Sequence, residues 1–527
     1  MRHSRSVAVL AGVCVGLLAF ALYVKTLAPT VLYYDLPDLR DAAVLQVKAA
    51  VLGIPDYTGY PTYMMLGKLF TYLPVGDVAY RVNLASAVYA ALAVLIVYMI
   101  GEKLTGRKVA AVAGALAFGV SQTFWSQAVI AEVYTLNAFF ESLVIYVLLV
   151  WRERRTDRYF FLSAFLMGLS LTHHLTSGLL IPAGMLFVFL VERRKLFDVR
   201  LVLKGIGVFF LGLLPYAYLP IRASMEHLPK GWSWGQETLR THPPNTLFGF
   251  FNLVSGGVWK GRMFVFGPEE LPGRFMSYIH YLYGDAGQFS VVLVIVAEAG
   301  ALYLLYRDRP AAVLLGFLYF GWLFHALEYD IEDIYYYFIP TYMILAVFMA
   351  SGFDGILEVA SALARKFLSL AGKLVLATLS IVILLAPLAG VTHTYRAVDR
   401  SDDYRGRYLI DTVAKKTRPD ATVLHHRSPL YYMILVDHRR EDLHLINYIE
   451  LPDPLGLKTA VNALKRGPVY VLFPSFKDTP YFVGADSASK LYRKAGYELV
   501  PTDKKALLYQ VLKSPSAEHA RQDDGTS

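Results

Sequence analysis

A series of long apolar runs constrains the fold of this chain more than any other feature of the sequence. The runs lie near residues 8–28, 82–101, 108–124, 134–151, 159–173, 176–191, 204–220, 289–306, 310–326, 334–352 and 374–393. Each is roughly 15 to 21 residues long, and a helix needs about 20 apolar residues to cross a bilayer. Hydrophobic residues make up 56% of the chain, which is too apolar for an ordinary soluble protein. The sequence therefore predicts a polytopic α-helical membrane protein with about eleven transmembrane helices.

Basic residues predict how these spans are oriented. Lysines and arginines occupy every second connection, beginning with Arg2 and Arg5 before the first span. By the positive-inside rule, these connections and the N-terminus face the cytoplasm, and the other connections lie outside. The formal charge of +9 thus reflects orientation in the cell membrane, and we expect no nucleic-acid partner. Because the predicted number of crossings is odd, the C-terminal part is expected outside.

The composition changes after the last span. From about Ser401 to Lys513, β-type segments (ATVLHH, LHLINYI, PVYVLF, ALLYQVL) alternate with amphipathic helical segments (SPLYYMILVDHRR, LKTAVNALKRG, ASKLYRKAG). This alternation predicts a small α/β domain. We therefore divide the chain into a transmembrane domain (1–397), a small extracytoplasmic α/β domain (398–513) and a disordered polar tail (514–527). The transmembrane domain has a first outer loop at 29–80 and a long outer loop at 222–288.

The outer connections hold most of the residues that suggest chemistry. They include Asp35, Asp38, Asp41 and Asp56 in the first loop, Gln127, Glu132, Tyr134 and Asn137 before and within the fourth span, the pair His173–His174, the bases Arg222, Lys260 and Arg262 in the long loop, and Asp333 in an acidic cluster. A carboxylate shielded at this surface has the chemistry of a general base. Outer arginines and lysines beside a membrane can hold a phosphate.

Each group also has a structural interpretation. The aspartates can solvate a short interfacial helix, Glu132 can cap the helix that follows it, and the histidines can be hydrogen-bonded residues at a helix end. Outer basic residues can anchor lipid headgroups, and the acidic cluster can be a solvated loop. Adjacent histidines diverge on a helix, and the chain has no EF-hand, HExxH or CxxC pattern, so we assign no metal ligand. The residues alone leave these alternatives open.

Several longer motifs resemble a known family of membrane enzymes. They are LAPTV, LGIPDYTGYPTYMMLGKLFTYLPVGDVAYRVNLASA and FWSQAVIAEVYTLNAFF, followed more loosely by THHLT, LPIRAS and DIEDIYYYFIP. With these motifs the chain resembles the GT-C class of membrane glycosyltransferases. Within that class it is similar to glycosyltransferase family 117, whose animal relatives are transmembrane protein O-mannosyltransferases. The resemblance is strongest from Leu27 to about Arg155 and implies a GT-C-like fold.

The resemblance also implies roles for particular residues. The family pattern places an acidic motif about eleven residues before LGIP, which lands on Asp41. Two positions depart from the pattern, because Val44 replaces a second acid and Asp56 replaces a histidine. Asp41 is therefore the first candidate for the catalytic base, with Asp38 and Asp35 as alternatives. The resemblance implies that the outer cavity is lined by Glu132, Tyr134, Asn137, His174, Arg222 and Asp333. We add four substrate-binding candidates, Asp56, Tyr60, Gln127 and His173. Together with Arg222, Lys260 and Arg262 are candidate ligands of a lipid phosphate.

The implied reaction moves a hexose, such as mannose, from a polyprenyl-phosphate donor to a hydroxyl of an exported protein or a glycan. Asp41 would remove the hydroxyl proton while the basic residues balance the charge of the leaving phosphate. No cofactor is certain, and a divalent cation is an option. Two other interpretations stay open, namely a transporter or flippase of lipid-linked sugars and a catalytically silent membrane scaffold that binds a glycan.

Overall fold

The computed structural model describes residues 2–33, 41–55, 57–225, 242–283, 287–367, 370–425, 429–447, 456–473 and 484–514. Helices dominate it, because an apolar run inside a bilayer satisfies its backbone hydrogen bonds only as a helix or a closed barrel. The α-helices are Arg2–Lys25, Ala42–Val51, Pro61–Phe70, Val78–Thr105, Lys108–Gly119, Gln122–Ala128, Tyr134–Arg154, Asp157–Leu171, Leu180–Glu192, Arg194–Phe197, Val199–Gly212, Tyr218–Ala223, Leu247–Val254, Leu271–Tyr283, Val291–Arg307, Arg309–Leu327, Ile339–Phe367, Leu370–Leu385, Val391–Val398, Arg405–Lys416, Leu430–Leu435, Leu457–Ala463 and Ala485–Lys494. Short 3₁₀ helices are Leu175–Leu179, Leu214–Ala217, Gly257–Arg262, Ile334–Phe338 and Ala386–Leu388.

Within the described residues, seven helical stretches are long and apolar enough to cross a membrane. They are Val7–Lys25, Val78–Thr105, Tyr134–Arg154, Leu175–Glu192, Arg309–Leu327, Ile334–Arg365 and Ala371–Val398. Two bent pairs, Lys108–Gly119 with Gln122–Ala128 and Val199–Gly212 with Leu214–Ala223, raise the number to nine if each pair is one span. The two other predicted spans coincide with the helices Asp157–Leu171 and Val291–Arg307, of 15 and 17 residues. The predicted polytopic helical membrane protein is confirmed, and the count of eleven stays a prediction.

Glycine lets two of these helices meet backbone to backbone. A Cβ atom at Gly300 would lie 1.9 Å from the Phe348 carbonyl oxygen, and one at Gly352 would lie 2.2 Å from the Val296 carbonyl oxygen. Small residues at such crossings are the usual device for close helix packing in membranes. The contact ties the short helix Val291–Arg307 to the long helix Ile339–Phe367, which has a largely buried N-terminal half.

The C-terminal part forms a five-stranded sheet flanked by helices. Its strands are β1 (Thr422–His425), β2 (His444–Asn447), β3 (Val469–Leu472), β4 (Tyr497–Asp503) and β5 (Leu508–Lys513), in the order β2-β1-β3-β5-β4. Strand β1 runs parallel to β2 and β3, whereas β5 is antiparallel to β3 and β4. The predicted small α/β domain is confirmed, although the segment that forms β4 was not predicted as a strand. The domain boundaries stay predictions, and from residue 515 onward the predicted tail lies outside the described residues.

The sheet domain packs directly on one end of the helical bundle. Val31, Val44 and Ala79 share one buried apolar cluster with Leu409 and Tyr432. Polar contacts reinforce the interface, because Arg407 donates Nη2–H to Asp77 at 2.7 Å and the Ala79 N–H donates to the Tyr432 hydroxyl at 3.0 Å. The domain therefore lies at the same end of the molecule as the first loop.

Candidate active site

The helix Ala42–Val51 begins at the predicted base, Asp41. Asp41 occupies the N-cap position, but its side chain makes no capping hydrogen bond to the helix. The helix is buried from Ala42 to Ala49, so the structure places it inside the protein and not at the membrane surface. Gln46 donates Nε2–H to Asn83 Oδ1 at 2.7 Å and thereby joins this helix to the span Val78–Thr105. The carboxyl group of Asp41 thus sits on a fixed element.

Three of the predicted acidic residues lie within electrostatic range of one another. Glu132 precedes the helix Tyr134–Arg154, and only 6% of its surface is exposed. Burial raises the pKa of the Glu132 carboxyl well above its ordinary value, and the charge of Asp41 raises this pKa further. The Val133 N–H donates a hydrogen bond to Glu132 Oε2 at 3.3 Å, which lowers this pKa. The charge of Asp333 raises it. Asp41, Glu132 and Asp333 therefore converge from three separate segments.

His174 is held in one orientation beside this acidic group. Its Nδ1 lies 2.7 Å from the Thr176 hydroxyl, and its ring lies 6.2 Å from that of Tyr60 and 5.7 Å from that of Tyr337, measured between centroids. Burial lowers the pKa of His174 to about 3, and the neighbouring His173 and His325 contribute to the shift. The imidazole is therefore neutral near pH 7 and serves as a hydrogen-bonding group and not as a cation.

His173 has a structural position. It is fully buried, and its Nε2 lies 2.8 Å from the Val133 carbonyl oxygen, to which it donates. This hydrogen bond holds the backbone next to Glu132. The arrangement favours the structural interpretation of His173 and does not support the prediction that it contacts the substrate.

A small cavity of about 70 Å³ lies next to His174. Aromatic and polar side chains dominate its wall, including Tyr57, Thr58, Tyr60, His174, Thr176, Trp259, Lys260, His325, Tyr329 and Tyr337. Sites for small ligands usually measure about 300–1,000 Å³, so a sugar phosphate fits only if these side chains move apart. The cavity as it stands is therefore too small to hold the whole substrate.

Two glycines bring the long outer loop onto this cavity. Gly59 has φ +83°, a conformation that glycine adopts without strain, and a Cβ atom there would lie 2.8 Å from Leu219. A Cβ atom at Gly257 would lie 2.0 Å from the Tyr57 ring. The turn around Gly59 and the 3₁₀ helix Gly257–Arg262 thus pack in direct contact, which places Lys260 in the cavity wall.

The three predicted phosphate ligands occupy different places. Lys260 lines the cavity, whereas the Arg262 guanidinium lies over the Trp259 ring at 5.1 Å. Arg222 donates Nε–H to the Leu52 carbonyl oxygen at 2.6 Å and Nη2–H to that of Val51 at 2.8 Å. Arg222 therefore caps the end of the helix Ala42–Val51 that is opposite Asp41. A helix of ten residues is about 15 Å long, so Asp41 and Arg222 do not flank one phosphate.

The other predicted residues fall into three groups. The structure places Tyr134 against Tyr336, Tyr337 and His174, and it buries Asn137 in a hydrogen-bonded group next to the cavity. Gln127 is buried beside Ser126 and lies away from the cavity wall. Asp35, Asp38 and Asp56 lie outside the described residues.

Sequence reasoning missed several residues of the site. The cavity wall also contains Thr176, His325 and Tyr329, and the buried Glu141 makes a hydrogen bond to Asn137 at 2.9 Å. Glu141 could have been found from the sequence, because an acid in the middle of an apolar span is unusual. The aromatic residues gave no such signal, because tyrosines at span ends are ordinary interfacial residues.

The described residues do not fit a metal centre. In this part of the chain, no group of three or more His, Cys, Asp or Glu side chains is arranged to hold a metal ion. A divalent cation therefore enters no step that we derive.

Comparison with known sequences shows similarity to one family of transferases. Residues 41–197 match the family model described as "Protein O-mannosyl-transferase TMEM260 N-terminal domain". Protein O-mannosyl-transferase TMEM260 of Mus musculus is 31% identical over 228 residues, which are 41% of this chain and 32% of the relative. Protein O-mannosyl-transferase tmem260 of Dictyostelium discoideum is 22% identical over 421 residues, which are 72% of this chain and 50% of the relative. The chain thus spans between a third and a half of the length of these relatives.

Comparison with solved structures identifies the fold. ArnT from Cupriavidus metallidurans bound to undecaprenyl phosphate aligns with a TM-score of 0.54 at 15% identity, over 95% of this chain and 97% of ArnT. The archaeal oligosaccharyltransferase AglB from Archaeoglobus fulgidus, in complex with an inhibitory peptide and a dolichol-phosphate, aligns with a TM-score of 0.53 at 13% identity, over 88% and 69% of the two chains. Both structures are GT-C enzymes, so the predicted GT-C-like fold is confirmed.

Proposed function

We propose that this GT-C-fold membrane protein, which resembles the TMEM260 family of protein O-mannosyltransferases, is a glycosyltransferase that moves a hexose from a polyprenyl phosphate to a hydroxyl group. The observation that carries the proposal is the convergence of Asp41, Glu132 and Asp333 at the end of the bundle that also holds the His174–Lys260 cavity. The similarity to O-mannosyltransferases and to lipid-phosphate-binding GT-C structures supports mannose and a polyprenyl-phosphate donor.

The proposed reaction is a single displacement at C1 of the sugar. Asp41 accepts the proton of the acceptor hydroxyl, whose oxygen forms the new bond to C1. The bond between C1 and the phosphate oxygen breaks, and its electron pair leaves with the lipid phosphate. Lys260 stabilises this negative charge, and neutral His174 donates a hydrogen bond to the same group. Because burial favours the neutral form of Glu132, Glu132 orients a sugar hydroxyl and leaves the role of base to Asp41.

The acceptor is a serine or threonine of an exported protein, or a hydroxyl of a glycan. The sheet domain packs on the end of the bundle that carries Asp41, so it is placed to help present such an acceptor. We place this end on the extracytoplasmic side, because the basic connections of the chain lie at the other ends of the spans.

A transfer assay tests the proposal. The purified protein in nanodiscs is supplied with radiolabelled polyprenyl-phosphate mannose or glucose and with Ser/Thr peptides or glycans. Wild type should form product, and Asp41→Asn should lower kcat by about 100-fold or more, because removal of a general base typically costs that much. Asp402→Asn, at an exposed aspartate of the same end, is the control and should keep full activity.

Two outcomes would contradict the proposal in different ways. Equal turnover by Asp41→Asn would remove Asp41 from the role of base. Binding of the lipid-linked sugar without product from wild type would reject the transferase, and donor movement across liposomes would then identify a flippase, whereas glycan binding alone would identify a scaffold.

A further inference from the structure

A chain of buried hydrogen bonds connects Glu141, inside a transmembrane span, to His174 at the cavity. Asn137 donates Nδ2–H to Glu141 Oε1 at 2.9 Å and also lies 3.3 Å from Thr176 Oγ1. The Thr176 hydroxyl in turn lies 2.7 Å from Nδ1 of His174. The Ser177 hydroxyl donates to Asn137 Oδ1 at 3.0 Å, which fixes the orientation of the amide.

The donors and acceptors in this chain determine which nitrogen of His174 carries the proton. Because Glu141 and Ser177 orient the amide, Asn137 presents its NH₂ group to Thr176 Oγ1. The Thr176 oxygen accepts that hydrogen bond, and its hydroxyl proton can be donated to His174 Nδ1, 2.7 Å away. The Thr176 backbone N–H points at the same nitrogen, at 3.4 Å. Nδ1 is therefore an acceptor, and the proton of the neutral ring resides on Nε2.

Glu141 is an unusual residue for its position. Its side chain is completely buried in the apolar helix Tyr134–Arg154, where an acid is costly. It lies one turn after Asn137, so the two side chains meet on one face of the helix. Within the described part of the chain, its second oxygen, Oε2, has no hydrogen-bond partner. In the described residues the Glu141 carboxyl group contacts Asn137 at 2.9 Å and also the Thr176 hydroxyl, so it touches both side chains that lead to His174.

We propose that Glu141 is a positioning residue: through Asn137 and Thr176 it holds His174 in the Nε2–H form, which donates a hydrogen bond to an acceptor oxygen of the donor substrate in the cavity. The group bound is the phosphate of the lipid-linked sugar, so this inference rests on the proposed function for its ligand. The orientation of the imidazole itself does not depend on that function.

Nitrogen NMR of the histidine ring tests the proposal without turnover. Protein labelled with ¹⁵N-histidine is reconstituted in nanodiscs, and the His174 signals are assigned by their loss in His174→Asn. Wild type should show the Nε2–H tautomer. Glu141→Leu and Thr176→Val should both shift the ring toward Nδ1–H, because the amide and the hydroxyl then lose their fixed direction. The conservative variants Glu141→Gln and Thr176→Ser keep an acceptor and a hydroxyl, so they should retain the wild-type tautomer.

Kinetics supply the second measurement. Loss of a hydrogen bond to a phosphate should raise the donor KM by about tenfold in Glu141→Leu and leave the acceptor KM unchanged. Glu298→Leu, at an exposed acid of the span Val291–Arg307, is the matched control and should change neither value.

An unchanged His174 tautomer in folded Glu141→Leu would overturn the proposal. If Glu141→Leu does not fold, Thr176→Val against Thr176→Ser decides it: equal tautomers in these two variants would overturn the chain from Asn137 to His174. A shifted tautomer in a protein without transferase activity would support the positioning role and reject the proposed function.

Discussion

At the scale of single residues, a tyrosine joins the acidic residues to the cavity. Tyr134 lies within electrostatic range of Glu132 and Asp333 and packs against His174. His174 in turn lines the cavity together with Lys260. Charge interactions among such buried groups are stronger than at an open surface.

Glu132 gives the site a dependence on pH. Its folded-state pKa is raised by burial and by the charges of Asp41 and Asp333, so the native state binds more protons than the unfolded chain above the ordinary pKa of about 4.3. The contribution of protonated Glu132 to the free energy of unfolding is therefore lost as the pH rises above that ordinary pKa. Glu132→Gln removes the titration, so its unfolding free energy should fall less than that of wild type as the pH rises above that ordinary pKa. Thermal unfolding in detergent measures the difference, with Glu298→Gln as the control, and parallel pH profiles for wild type and Glu132→Gln would contradict it.

Lys260 and Arg262 allow a matched comparison of two proposed phosphate ligands. Lys260 lines the cavity, whereas Arg262 is occupied by the Trp259 ring. Lys260→Gln should raise the donor KM about tenfold, since a hydrogen bond to a charged group is lost. Arg262→Gln should raise it by less than threefold. Donor titrations of both variants check the order, and a larger effect of Arg262→Gln would show that the phosphate lies outside the cavity.

At the scale of elements, the helix Ala42–Val51 is held from every side. Asn83 fixes its middle through Gln46, the sheet domain covers Val44, and Arg222 caps its C-terminal carbonyls. The burial of Val44 explains in physical terms why an acid at this position would be costly in this protein. These contacts predict that the helix stays folded as the support of Asp41.

Arg222 provides the test of that support. Arg222→Met removes two hydrogen bonds to helix carbonyls, so amide exchange over residues 48–53 should accelerate about five- to tenfold, equivalent to roughly 1 kcal/mol of local stability. Arg222→Lys keeps the charge but not the paired geometry, so it should restore only part of the protection. Hydrogen exchange with mass spectrometry measures both variants, with the exposed Arg200→Met as the control. Equal protection in all three would show that the cap does not stabilise the helix.

At the scale of the whole molecule, the ends of one helix test the orientation in the membrane. Tyr134 lies at the site, and Arg154 ends the same 21-residue helix, about 30 Å away. The chain has a single cysteine, Cys14, so in a Cys14→Ala background each newly introduced cysteine is the only one that can be labelled. We expect a membrane-impermeant maleimide to label Asp402→Cys in intact cells and to label Arg154→Cys only after permeabilisation. The reverse pattern would place the site in the cytoplasm and exclude a donor that reaches it from outside.

The sequence predicted those parts of the fold that depend on local properties. Apolar runs predict where helices cross the membrane, because a span requires about 20 apolar residues in succession. Four of the five strands of the C-terminal sheet were recognisable from their alternation with helices. Strand β4 was missed because it is an edge strand that contains Glu, Pro and Asp, which are depleted in strands.

The site itself depended on distances that no local pattern contains. The sequence by itself determined that acids, histidines and bases gather in the same set of connections, and a family motif singled out Asp41. Only the tertiary structure decided that Glu132 and Asp333 lie near Asp41, that Arg222 caps the opposite end of the helix and that Glu141 reaches His174 through two other side chains. The reason is physical: helix packing brings together residues that are far apart in the chain, and the direction of each side chain follows from its neighbours and not from its type.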